Sequence, residues 1–199
     1  MALPMPFAAV HLLFINLLTD SLPAIAIGME ESNRDLLKDK PRSKNESILN
    51  KNFLFGLGLE GLLIGMFTII AFYAGNPMKT PLTASTMAFA TLCLARLFHG
   101  FNCRGKGSIF KLGVFSNKYV WYAFGIGLVL LNAVLFVPFL QGLFEVENLM
   151  LSQYVTIYIL AFIPTLIIQF IKIINEVIEN RKVKKNPSGK FENNLKNIA

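Results

Sequence analysis

The apolar stretch from Phe7 to Gly28 holds a single ionisable carboxylate, Asp20. A charge in a segment of that length and character is costly, and it must face a partner or an aqueous pathway. Asn16, Thr19 and Asp20 are related by i+3 and i+4, so an α-helix sets three oxygen-bearing side chains on one face. Pro23 adds a fourth group. It has no N–H to give the Thr19 carbonyl, and its ring crowds that carbonyl, so the helix should loosen there and leave a backbone acceptor level with Asp20. Carboxylate, amide oxygen, hydroxyl and carbonyl suit a hard cation such as Ca²⁺ and lack the nitrogen and sulfur donors favoured by zinc or copper. The same side chains have a plainer use. Asn16 and Thr19 can hydrogen-bond to neighbouring helices while Asp20 pairs with a basic residue, and the residue types alone leave both readings open. His11, near the start of the stretch, reads as a packing or interfacial residue.

The elements that must position this cluster are membrane spans. Of 199 residues, 54% are hydrophobic and 16% charged, with a mean hydropathy of +0.53. Soluble domains carry about 25% charged residues, and 18 Phe against two Cys exclude disorder and a disulfide scaffold. A bilayer-crossing helix needs about 20 mostly apolar residues. Such stretches run over about 7–28, 53–74, 82–101, 119–140 and 151–174, which predicts an all-α, polytopic membrane domain of five transmembrane helices within residues 1–175, followed by a polar, basic tail over 176–199 that reads as frayed. The net charge of +7 would suggest nucleic acid in a soluble protein; here its distribution points to a bilayer instead. Seventeen of the 19 Lys and Arg fall in the 29–52 and 102–118 loops and at the C-terminal end, whereas the opposite loops carry Lys79 alone. By the positive-inside rule those loops and the C-terminus are cytoplasmic and the N-terminus lies outside. Residues 1–6 contain no basic signal that could start translocation in that sense, so the expectation is a C-terminal piece of a longer membrane protein, whose preceding helix delivers Leu3-Pro4-Met5-Pro6 to the outer face as a turn.

The run Asn16-Leu-Leu-Thr19-Asp20-Ser21-Leu-Pro23-Ala-Ile-Ala-Ile-Gly28, followed by Asp35-Leu-Leu and Lys40-Pro41-Arg42, resembles the sixth transmembrane helix and following cytoplasmic loop of the P-type calcium-transporting ATPases of the sarcoplasmic-reticulum and bacterial kind. The resemblance extends more loosely through the other spans, to helices six to ten. It implies that Asn16, Thr19 and Asp20 are cation ligands in a pump that exports Ca²⁺ with proton counter-transport, and that Asp35, Asp39 and Arg42 couple the loop to the phosphorylation domain. ATP and Mg²⁺ would act only through cytoplasmic domains that, with the first five helices, form the N-terminal remainder of the pump. No Asp-Lys-Thr-Gly motif occurs in this sequence, so the chain alone should not hydrolyse ATP. A pump for Na⁺, K⁺ or Mn²⁺, or a non-enzymatic five-span transporter or assembly module, is the alternative.

Two further features stand out. Gly58, Gly61 and Gly65 beside Glu60 give Gly-x-x-Gly and Gly-x-x-x-Gly spacings, which fit close approach of another helix better than a ligand role for Glu60. Arg96, the nineteenth basic residue, lies inside the third span. In resembling pumps that bind two ions, the eighth helix offers a glutamate at the position that aligns with Arg96 through Ser85-Thr86-Met87-Ala88 and on to Asn102. At about 1.5 Å per residue, Asp20 and Arg96 lie roughly 20 and 21 Å from the starts of their helices, so the two can pair. Arg96 would then modulate the ion site by standing in for one ion. The plainer reading is that Arg96 snorkels to the interface.

Overall fold

The computed structural model describes residues 4–30, 51–105 and 107–185. Among these residues the chain is helical without strands, with α1 at Ala9–Phe14, a π-helical segment at Ile15–Asp20, α2 at Ser21–Gly28, α3 at Lys51–Ala74, α4 at Pro81–Asn102, α5 at Ile109–Leu112, α6 at Lys118–Phe136, α7 at Pro138–Phe144 and α8 at Leu151–Lys185. Five helical stretches are long and apolar enough to cross a membrane: Ala9–Gly28, Phe53–Ala74, Pro81–Asn102, Lys118–Phe136 and Leu151–Ile178. Two differ from the sequence expectation. The stretch expected to continue to Leu140 stops at Phe136, because Pro138 cannot donate to a preceding turn and instead opens α7 at a position where its missing N–H costs nothing. The last helix does not fray at Glu176 but continues to Lys185.

The centre of the bundle is α4. Its membrane window is 72% buried, against 11% for α3 and 33% for α6 and α8, and it packs against α3, α6 and α8 while touching α2 and the π segment. Lipid tails are as apolar as leucine, so helices in a membrane gain little by hiding apolar surface from lipid and associate instead through close packing and hydrogen bonds. The sequence of α4 fits that requirement: Ala84, Ala88, Ala90 and Ala95 are buried with Phe89, Leu94 and Leu97. A Cβ at Gly75, where α3 turns back to α4, would lie 2.4 Å from the Ala84 backbone. One at Gly127 of α6 would meet the Leu97 side chain at 2.5 Å. Hydrogen bonds fix the ends of α4. Thr83 Oγ1 donates to Glu147 Oε2 at 2.5 Å, Thr86 Oγ1 accepts from the Glu147 N–H at 3.0 Å and Ser85 Oγ donates to the Pro6 carbonyl at 3.0 Å. At the other end Lys172 of α8 donates to the carbonyls of Asn102 and Gly105, where a cation also complements the helix dipole. Glu176 accepts from Ser108 N–H at 2.6 Å and Ser108 Oγ at 3.0 Å, so α8 runs on past the apolar core because its polar face holds the loop after α4.

That loop also carries Arg104, whose side chain is fully buried. It donates to Glu30 through Nε at 3.0 Å and Nη2 at 2.6 Å, and to the Gly113 carbonyl at 2.9 Å. Asn117 closes the cluster. Its Nδ2 donates to Glu30 Oε2 at 2.6 Å and to the Ala26 carbonyl at 3.0 Å, while its Oδ1 caps the N-terminus of α6 by accepting from Tyr119 and Val120 N–H groups. The hydrogen bonds from Arg104, and then that from Asn117, hold the Glu30 carboxyl below its ordinary value of 4.5 against the opposing effect of burial. Arg104→Leu should therefore cost about 3 kcal/mol, the low end of the range for stranding one partner of a buried pair, since Glu30 keeps partial access to water. Thermal unfolding in detergent measures it. Because the folded-state value is depressed, the Glu30 contribution should be present in full above about pH 4.5 and disappear as pH falls through the lowered value; Arg104→Leu should flatten that acid dependence.

Candidate cation site

Asn16, Thr19 and Asp20 all fall in the π-helical segment Ile15–Asp20. A π-turn closes on the residue five back and is found mostly as a single widened turn inside an α-helix, frequently at functional sites. Ser21 Oγ donates to the Asn16 carbonyl at 3.2 Å, a reach of five residues. Pro23, two residues further, can donate neither to the Thr19 carbonyl in an α register nor to the Leu18 carbonyl in a π register, so widening immediately upstream is where the ladder yields. The turn modifies the expected geometry: residues five apart now stack, and Ser21 joins the Asn16 face. Asn16 and Asp20 are exposed on this chain. The Thr19 side chain lies outside what the structure describes.

Asp20 pairs with Arg96. The guanidinium Nη1 donates to Asp20 Oδ1, joining the end of the π segment to α4. Half-exposed positions, 36% for the Arg96 side chain and 44% for Asp20, leave the pair reachable from the cleft beside it. Gly100, one turn below Arg96, lets α2 approach: a Cβ there would stand 3.2 Å from Pro23 Cβ.

The cleft holds about 360 Å³ and is lined by Asp20, Pro23, Ala24 and Ile27 from the first span, by Leu57, Glu60, Gly61 and Ile64 from α3, and by Arg96, His99 and Gly100 from α4 with Cys103 at its C-cap. Each helix contributes positions i, i+3, i+4 and i+7, one continuous face. Glu60 is thus not confined to a packing face, as its glycine neighbours suggested; its carboxylate sits 3.4 Å from His99 Nε2. Sequence reasoning missed His99, although the Arg96, His99, Gly100, Cys103 spacing carried the signal. The glycine face itself is open on this chain, since a Cβ at Gly56, Gly58, Gly61 or Gly65 would meet nothing within 4 Å.

Other expected residues are placed elsewhere or not at all. His11 is fully buried, stacked on Phe89 at 4.3 Å, with Nε2 2.7 Å from the Phe144 carbonyl and Nδ1 accepting from Ala8 N–H; it is a packing residue. Asp35, Asp39 and Arg42 lie outside the described residues. No group of three His, Cys, Asp or Glu poised for a metal occurs among the described residues; the carboxylates that line the cleft are Asp20 and Glu60.

Residues 4–174 match a family described as "Cation transporting ATPase, C-terminus". The chain is 34% identical over 186 residues to calcium-transporting ATPase 1 of Bacillus cereus, covering 84% of this chain and 21% of that protein. It is 36% identical over 171 residues to a calcium-transporting ATPase of Bacillus subtilis, covering 84% and 19%, and 43% identical over 146 residues to one of Listeria monocytogenes, covering 72% and 16%. The chain spans about a fifth of the length of these curated relatives.

Pro23→Ala restores an N–H that can close an α ladder through this region. The π-turn should then relax and Asp20 lose its register with Arg96, so hydrogen exchange at residues 15–20 should slow while cation affinity of the intact protein falls; faster or unchanged exchange would contradict the role given to Pro23.

Proposed function

The chain belongs to the family of cation-transporting ATPase C-termini, and from that premise we propose that it forms the last five membrane helices of an ATP-driven pump that exports Ca²⁺ from the cytoplasm in exchange for protons. The observation that carries the reading is the widened turn at Ile15–Asp20, which ends on a carboxylate within a membrane-length apolar helix, at a cleft lined by three helices. Asn16, Thr19 and Asp20 supply part of the Ca²⁺ shell. The missing ligands come from helices that precede this segment in the longer protein, and the open glycine face of α3 receives one of them. ATP and Mg²⁺ act on domains outside this chain. The basic loops and C-terminal end face the cytoplasm, the first residues the outside, and the 29–52 loop, through Asp35, Asp39 and Arg42, meets the phosphorylation domain.

Arg96 has the role of a built-in cation. Its guanidinium keeps its charge at any physiological pH and holds Asp20 when Ca²⁺ is absent, so it occupies the place of one of two ions in the related pumps that bind two. One Ca²⁺ should move per ATP, as ⁴⁵Ca²⁺ uptake against phosphate release measures; a ratio near two would refute this role.

In the full-length pump, Asp20→Asn should abolish Ca²⁺-dependent phosphorylation from ATP and spare phosphorylation from inorganic phosphate, because it weakens the ion site without touching the remote catalytic machinery. Unchanged Ca²⁺ affinity in that variant would remove the first span from the site. Purified residues 1–199 should show no ATPase activity above background.

A further inference from the structure

The cleft holds an ion pair and, three residues further along α4, a histidine facing a carboxylate. Asp20 pairs with Arg96, and Glu60 on α3 faces His99 on α4 with its carboxylate 3.4 Å from Nε2. Arg96 and His99 are three residues apart on one face, about 4.5 Å along the axis, and His99 is nearer the end of α4 where Cys103 and Ile27 line the cleft. The Glu60 side chain is 28% exposed and the His99 side chain 16%, and His99 Nδ1 also lies 3.5 Å from Asn102 Nδ2.

We propose that the Glu60–His99 pair is a proton-binding site that gives up its proton when the cation binds at Asp20. The inference rests on the cation reading of Asp20. With Asp20 on Arg96 and a protonated His99 on Glu60, the four groups sum to zero charge. A divalent cation at Asp20 displaces the guanidinium, and the other carboxylate lining the cleft is Glu60. Once Arg96 takes Glu60, the imidazolium has lost its counter-ion and gained a cationic neighbour. Its Nε2 proton passes to water at the Cys103 end, leaving neutral imidazole. The exchange moves one proton out for one Ca²⁺ in, and no bond other than that N–H breaks. Histidine is the side chain whose charge changes between pH 5 and 8, the range in which such an exchange is felt. The charged and titratable groups around His99 are Glu60 from α3, Arg96 and Cys103 from α4, Asp20 from the π segment and Lys172 from α8. Lys172 is committed to the carbonyls of Asn102 and Gly105, which leaves Glu60 as the carboxylate that can hold the proton on His99.

The test is Ca²⁺-dependent phosphoenzyme formation and proton counter-transport in vesicles containing the full-length pump, from pH 6 to 8. A bound proton keeps Arg96 on Asp20, so acid weakens Ca²⁺ binding. His99→Gln and Glu60→Gln should each remove one proton from that competition. The fall in apparent Ca²⁺ affinity per unit of acidification should shrink by up to tenfold, and one proton fewer should return per Ca²⁺. His99→Lys, a fixed cation, should keep affinity low across the range. Phosphorylation from inorganic phosphate verifies that each variant is folded. Parent-like slopes and proton counts in His99→Gln and Glu60→Gln overturn the inference, while Asp20→Asn, run in parallel, reports separately on the cation site: its failure to alter Ca²⁺ affinity would remove the premise instead.

Discussion

A carboxylate inside a membrane span has to be compensated, and the arrangement around Asp20 follows from that requirement. The compensating charge comes from another helix, because the first span holds no basic side chain but His11, which is committed to Phe144. Arg96 can supply it only if α4 lies close to the first span at the right depth. Gly100 makes the approach possible, since a larger side chain would press on Pro23. Pro23 in turn is what the π-turn ends against, and the π-turn sets where Asp20 emerges. A single ion pair thereby links an unusual backbone, a close helix crossing and the opening of a cleft.

The central helix shows how the bundle is held without help from the hydrophobic effect. α4 is rich in alanine and threonine and is nevertheless the most buried of the spans. In water such a helix would belong at a surface. Surrounded by lipid, it is the small side chain that lets neighbours approach and the hydroxyl that ties a loop, so the apolar leucine- and isoleucine-rich spans are driven outward. α3, whose window is 11% buried, is the extreme case on this chain, with its glycine face as open as its leucine face.

The sequence made much of this legible. Long apolar runs identify spans regardless of their contacts, and the lone Asp20 and Arg96 announce a pair because each is expensive alone. Counting residues from the helix starts brings them to one depth, and they meet in the structure. Three things were not legible. The π-turn has no sequence signature beyond Pro23, and assuming α geometry gave an i+3, i+4 face where the wider turn brings in Ser21. Arg104 looked like one of many loop cations, because burial of a loop arginine depends on Glu30, Asn117 and Ser116 arriving from distant positions. Glu60 was read with the glycines beside it, and its partner across the cleft lies 39 positions away, beyond the reach of any local pattern.

The two pairs in the cleft divide the electrostatic work by the chemistry of their cations. An arginine cannot release its proton in a protein. Position 96 can therefore exchange partners but not charge, and on the proposed reading its charge never leaves the cleft. Were position 99 also an arginine, cation entry would add two charges to a cleft with no means of shedding any. A histidine differs in that its charge depends on whether a carboxylate faces it, and that carboxylate lines the same cleft as Arg96. The order along α4 matters for the same reason: the fixed charge stands beside Asp20, and the titratable group lies three residues nearer the C-terminal end of the helix, beside Glu60.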